Sequence, residues 1–201
     1  MRFVVIALVM AVQPELVDRT LALVGGQPIT LSDARAAVAF GLVRADPPPD
    51  AAAGLTALLA LLVERELVLR EVRRYAPPAP SDAAVDARYD ELRRRFPDAA
   101  AFNRALDLHG VSEVRLRAWL RDDLRTVAYL AQRFASASTP GDAEIAAAYA
   151  RARAEFDTAG LNFEQAASVL RERLVAARRA ELINDWVSDL RRRTDVVILQ
   201  Q

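Results

Sequence analysis

"LALVGGQPIT", residues Leu21 to Thr30, reads as two short strands joined by a two-residue Gly25-Gly26 turn, and it is almost the only strand-like text near the start of the chain. A lone hairpin is marginal in water. A third strand, or a helix packed on one face, must complete it before the pairing is stable.

The third strand lies at the other end of the sequence. After Thr194 the text changes to "DVVIL", three β-branched residues and a leucine in a row, which is strand composition. Pro28 lacks an N–H and fits best where one strand of the hairpin faces a sheet edge. The remaining side of the hairpin is then free, so Val196 to Leu199 is expected to pair with Leu21 to Val24. The expected fold is mostly α, an elongated multi-helix module with a small antiparallel sheet made from the hairpin (about 20–31) and the C-terminal strand (about 195–199).

Between these strands the text is helical. Thr30 caps a helix over 34–43, with Asp33 three residues on, and Pro47-Pro48-Pro49 stops it. Residues 50–75 form the most apolar segment, in which Leu58, Leu59, Leu61, Leu62 and Val63 surround the helix; such a helix is buried between neighbours. Ser81 caps 82–95, Asp98 caps a short helix that runs to His109 and stops at Gly110, and Ser112 opens the next. In that one, Leu116, Leu120, Leu124, Val127, Ala131 and Phe134 form an apolar stripe. Thr139 reads as an N-cap with Pro140 at the first helical position, for a helix through Phe156. The last helix, 163–193, carries Leu170, Leu174, Ala177, Ala180, Ile183, Val187 and Leu190 on one side. At 1.5 Å per residue it is about 46 Å long. A compact chain of this size has a radius of gyration of about 16 Å, so the module is expected to be elongated or cradle-shaped.

Composition restricts the chemistry. The chain has 201 residues, 53% of them hydrophobic, and its 27 basic residues, all arginine, cancel 27 acidic ones. The overall positive field that nucleic-acid binding exploits is missing. There is no cysteine, hence no disulfide, thiolate metal site or cysteine nucleophile. Arg2 followed by ten apolar residues, Phe3 to Val12, with Val9 and Ala11 at the recognition positions, reads as a secretory signal peptide over 1–11. A buried N-terminal strand is the competing reading. The run is too short to span a bilayer.

Catalytic, cofactor and metal residues are assigned to none. His109 is the only histidine, and neither a Walker loop, a dinucleotide-binding glycine fingerprint nor an HExxH helix is present. His109 itself reads as a helix-end residue favoured by the dipole, and the triplets Arg93-Arg94-Arg95 and Arg191-Arg192-Arg193 as cations in the last turns of helices. Trp119 and Trp186 read as core or interface anchors. These features favour a binding or scaffolding module over an enzyme.

The order of the pieces resembles the chaperone module of the SurA family of periplasmic folding factors. The resemblance rests on the signal-like start, "LALVGGQPITLSDA", "LLALLVERELVLREV", "LRAWLRDDLRTVAYL", "STPGDAEIAAAY" and "LVAARRAELINDWVSDLRRRTDVVIL". It covers most of the chain and implies a single chaperone domain over 12–201, with N-terminal helices to about 156 and a C-terminal helix and strand over 162–200. Members of the family carry parvulin isomerase domains before the closing helix; here residues 157–161 leave no room for one, so the resemblance implies no prolyl isomerase activity. What it does imply is an ATP-independent periplasmic holdase for unfolded polypeptides, outer-membrane proteins above all, with no nucleic acid partner and no stable membrane insertion. Phe40, Phe96 and Phe102, near helix ends, are the candidate client contacts. The alternative is a dedicated scaffolding or assembly partner of an exported complex.

Overall fold

A computed structural model describes residues 18–43, 52–137 and 139–199; the expected signal segment and the Pro47-Pro48-Pro49 stop lie outside the described residues. The chain begins with β1 (Thr20–Val24) and β2 (Gln27–Thr30) and continues through α1 (Leu31–Ala39), α2 (Ala52–Tyr75), α3 (Asp82–Arg93) and α4 (Ala99–Leu108). It ends with α5 (Glu113–Arg133), α6 (Asp142–Thr158), α7 (Phe163–Arg193) and β3 (Val196–Ile198). The fold is mostly α with one small antiparallel sheet, in the order β2-β1-β3.

β3 joins β1 in the expected place, with Ala22, Leu23 and Val24 opposite Ile198, Val197 and Val196. The Gly25 N–H donates to the Asp195 carbonyl at 2.7 Å, and the Leu199 N–H to the Leu21 carbonyl at 3.0 Å. Odd-numbered residues of β1 therefore turn their backbone groups toward β3. The hairpin turn holds Gly25 at φ 53° and Gly26 at φ 84°, a pair of positive values that two glycines meet at little cost. β2 is an edge strand, as Pro28 requires.

Three apolar clusters organise the helices. The first packs the sheet and α1 against α2, with Tyr129 and Phe134 from the end of α5 and Trp186 and Leu190 from the end of α7. The second takes the other side of α1, Ala36 and Phe40, with α3, α4 and the first half of α5. The third holds α6 to the N-terminal half of α7 through Ile145, Phe156, Ala166 and Leu170. α7 thus passes out of the first cluster to carry the third, which accounts for its length.

Most helix starts are where their caps place them: Thr30, Ser81, Asp98 and Ser112 accept from the amides of Asp33, Ala84, Ala101 and Arg115. Four details differ from expectation. α1 ends at Ala39 instead of continuing to Val43, because Gly41 at φ 63° terminates it. The cap of α6 is Gly141, without a side-chain bond, while the Thr139 hydroxyl donates back to the Ala135 carbonyl. Val127 is 62% exposed and Tyr129 takes its place in the core, since α5 passes from the second cluster to the first and its buried face rotates. Ala177 and Ala180 are exposed where α7 crosses between its two clusters.

α7 has a full capping box: the Asn162 side chain accepts from the Gln165 amide and the Gln165 side chain accepts from the Asn162 amide. α6 closes onto it through a Schellman turn, with Gly160 donating to the Asp157 carbonyl and Leu161 to that of Phe156.

Candidate functional site

The three phenylalanines proposed as client contacts do come together. Phe40, Phe96 and Phe102 form a triangle with ring centroids 5.2–6.3 Å apart. Phe40 and Phe102 are each only 1% exposed, however, and form the middle of the second cluster with Tyr89 and Leu92. Both belong to the core and face no cradle; Phe96 alone keeps partial exposure. An aromatic residue at a helix end reads the same in sequence whether it points in or out.

A different group of residues builds a cavity. Between β2, α1, α2 and the first half of α5 lies a space of about 170 Å³. Pro28 and Ile29 come from the strand, Leu62 and Leu69 from α2, and Trp119 from α5. Trp119, read as a core or interface anchor, is half-buried here, with the Arg115 guanidinium 4.9 Å above its ring.

Charges surround this apolar floor, most of them in pairs, while Arg65 Nη2 is buried without a hydrogen-bond partner, 4.0 Å from Asp123. Arg115 donates to Asp33 at 2.7 Å, while Arg73 reaches Glu66 at 3.2 Å and Asp122 at 3.1 Å. Burial pushes the Glu66 carboxyl above its ordinary range, although Arg73, Arg65 and Arg70 pull the other way. The lining holds three arginines (Arg65, Arg73, Arg115) and three carboxylates (Asp33, Glu66, Asp122), so it has no net charge when all are ionised.

A larger cleft, about 520 Å³, opens where α2 and α7 end. Its arginines are already engaged. Arg70 donates to the Gly25 carbonyl at 3.0 Å and the Val24 carbonyl at 3.3 Å, Arg74 to Glu71 at 2.7 Å, and Arg193 lies 3.8 Å from Glu71. This cleft fastens the hairpin turn to two helix ends. On α5, Arg117 pairs with Glu113 and Asp86, and Arg121 with Asp82, so with Arg115 these residues of its basic row meet carboxylates from its own turn, from α3 and from α1. Arg191, Arg192 and Arg193 sit in the last turn of α7 as expected, whereas α3 ends at Arg93, with Arg94 as its C-cap and Arg95 beyond the helix.

Among the described residues no three of His, Cys, Asp and Glu gather to hold a metal ion. No helix among them is long and apolar enough to cross a membrane. No family model matches the chain, and no curated protein matches it.

Proposed function

We propose that this protein is an ATP-independent holdase of the SurA type, working without isomerase activity on unfolded polypeptides, outer-membrane proteins in transit through the periplasm above all. The observation that carries the reading is the clasp of β1 with β3, which joins the two ends of the chain in one sheet where the resemblance requires it. The tight turn over 159–162 supports the reading without an isomerase, because the position where the family carries that domain is here closed by the Gly160 and Leu161 amides, which donate to the Asp157 and Phe156 carbonyls.

The chemistry asked of such a module is modest. It binds the unfolded state reversibly, through apolar contacts in recesses too small for a folded domain, and mass action then lowers the free concentration of aggregation-prone chains. No covalent step, cofactor or nucleotide enters.

Light scattering tests it. A denatured β-barrel protein diluted from urea should aggregate less in the presence of a stoichiometric amount of this chain; equal scattering with and without it overturns the proposal. The competing function, a scaffolding partner of one exported complex, draws support from the exposed side chains of β3, Val197 at 40% and Ile198 at 47%. A pull-down that returns one folded protein in fixed stoichiometry would favour it.

A further inference from the structure

We infer that the open edge of β3 binds an extended, uncharged polypeptide segment by strand addition, through the outward N–H and carbonyl groups of Val196 and Ile198. This rests on the holdase reading and names how the backbone of an unfolded chain is held.

The backbone sets the first requirement. The Asp195 carbonyl accepts from Gly25, the Leu199 N–H donates to Leu21, and Val197 lies opposite Leu23, so the odd-numbered residues of this stretch face β1. In an antiparallel ladder the residues between them point the other way. Val196 and Ile198 therefore turn their N–H and carbonyl groups to the open side of the sheet, where no described residue bonds to them. An extended strand supplies donors and acceptors at that spacing, and a helix does not.

The two edges of the sheet are not alike. At the β2 edge the outward residue is Pro28, opposite Leu23, and it has no N–H to offer. Residues 196–199 contain neither a proline nor a charge, two of the devices that blunt an edge, and Val197, Ile198 and Leu199 all keep exposed side chains. What limits this edge is its length.

Length and charge together restrict the occupant. A stable complex with a folded partner or a second copy takes about 800 Å² from each side, whereas three strand residues offer about 10 Å of edge. Such an edge holds one segment weakly and releases it. A charged residue in that segment would lie against Val197 or Leu199 on one face of the sheet or Ile198 on the other, so the stretch that pairs is uncharged.

The test titrates the full chain into a labelled peptide of alternating valine and threonine with blocked ends, followed by anisotropy. N-methylation of one set of alternate amides should weaken binding about tenfold, and of the other set should leave it unchanged, because only one set faces β3. Equal effects of the two sets overturn the inference. Ile198→Pro removes an outward N–H and no bond to β1, so it should also lose about tenfold in affinity while its urea midpoint stays near that of the parent chain. Undiminished binding to Ile198→Pro overturns the inference, and if that variant does not fold, the methylated peptides decide on the unaltered chain. A dimer in solution that Ile198→Pro dissolves would assign the edge to a second copy and overturn it as well. Suppression of β-barrel aggregation without the contrast between methylated peptides overturns the inference and leaves the holdase reading standing. The contrast without suppression supports the edge assignment and overturns the holdase reading.

Discussion

Arg70 shows how a single side chain fixes the hairpin. Its guanidinium lies so close over the turn that a Cβ added to Gly25 would fall 2.4 Å from its Cζ, whereas one added to Gly26 meets nothing within 4 Å. Both glycines have positive φ, so alanine is strained at either position. Gly26→Ala is expected to cost about 1 kcal/mol and Gly25→Ala about 2–3 kcal/mol, because only the second also displaces Arg70 from two carbonyls. Urea unfolding midpoints measure the difference, and Arg70→Ala in both backgrounds should narrow it.

His109 is the other informative residue. It caps the C-terminus of α4, where the dipole favours a cation, yet burial holds its imidazole below the usual value and the nearby Arg35 pushes the same way. Its ring packs edge-on to Phe40 with centroids 6.1 Å apart. The unfolded chain therefore takes up this proton more readily than the folded one. Its contribution to stability is complete above the unfolded pKa of about 6.5 and is lost as pH falls through the lower folded value. His109→Gln should flatten the fall in the urea midpoint on acidification below that pH, and an unchanged slope would show that His109 is not its source.

At the scale of elements, start signals were far more legible than stop signals and inward faces. Thr30, Ser81, Asp98 and Ser112 announce their helices because a capping side chain acts within three residues of itself. Asn162 and Gln165 carry the same kind of local message in the capping box of α7. Val127 misled because α5 packs against two clusters in turn, and a single periodicity cannot describe a face that rotates. The site was illegible for a stronger reason: Pro28, Leu62 and Trp119 meet only through tertiary packing, and nothing in their spacing brings them together. The pairing of β3 was legible by elimination, since an edge proline left one side of β1 unclaimed. Deleting the chain after Arg193 removes the ladder to β1, including the Asp195 and Leu199 bonds. The expected loss is about 2–4 kcal/mol, or about 5–15 °C in Tm; a melting temperature equal to that of the full chain would refute the clasp.

For the whole molecule, the decisive feature is that α7 belongs to two clusters that share no side chain. It holds the α6 hairpin out from the body as a continuous helix, with Arg178 bonded to Glu144 and the Thr139 carbonyl near the root of α6. Stability should therefore divide along this line. Phe156 is 2% exposed at the centre of the third cluster, and Phe156→Ala is expected to cost that cluster about 3–5 kcal/mol. Hydrogen exchange should then show α6 losing protection while α2 keeps it. Equal loss in both helices would mean that the molecule opens as one cooperative unit.

The clasp also determines an order of events in time. Residues 24 and 196 must find each other across nearly the entire chain, and loop closure over such a distance costs entropy before any contact repays it. The second and third clusters, built from nearer neighbours, have no such delay, so β3, together with the end of α7 that joins the first cluster, is expected to dock after the rate-limiting barrier has been crossed. Val196→Ala should then accelerate unfolding and leave the refolding limb of a stopped-flow chevron where it was; a proportionate slowing of refolding would place the docking of β3 before the barrier. If β3 docks last, it is also the element that must let go first, and the lifetime of the folded protein is set at its C-terminal strand.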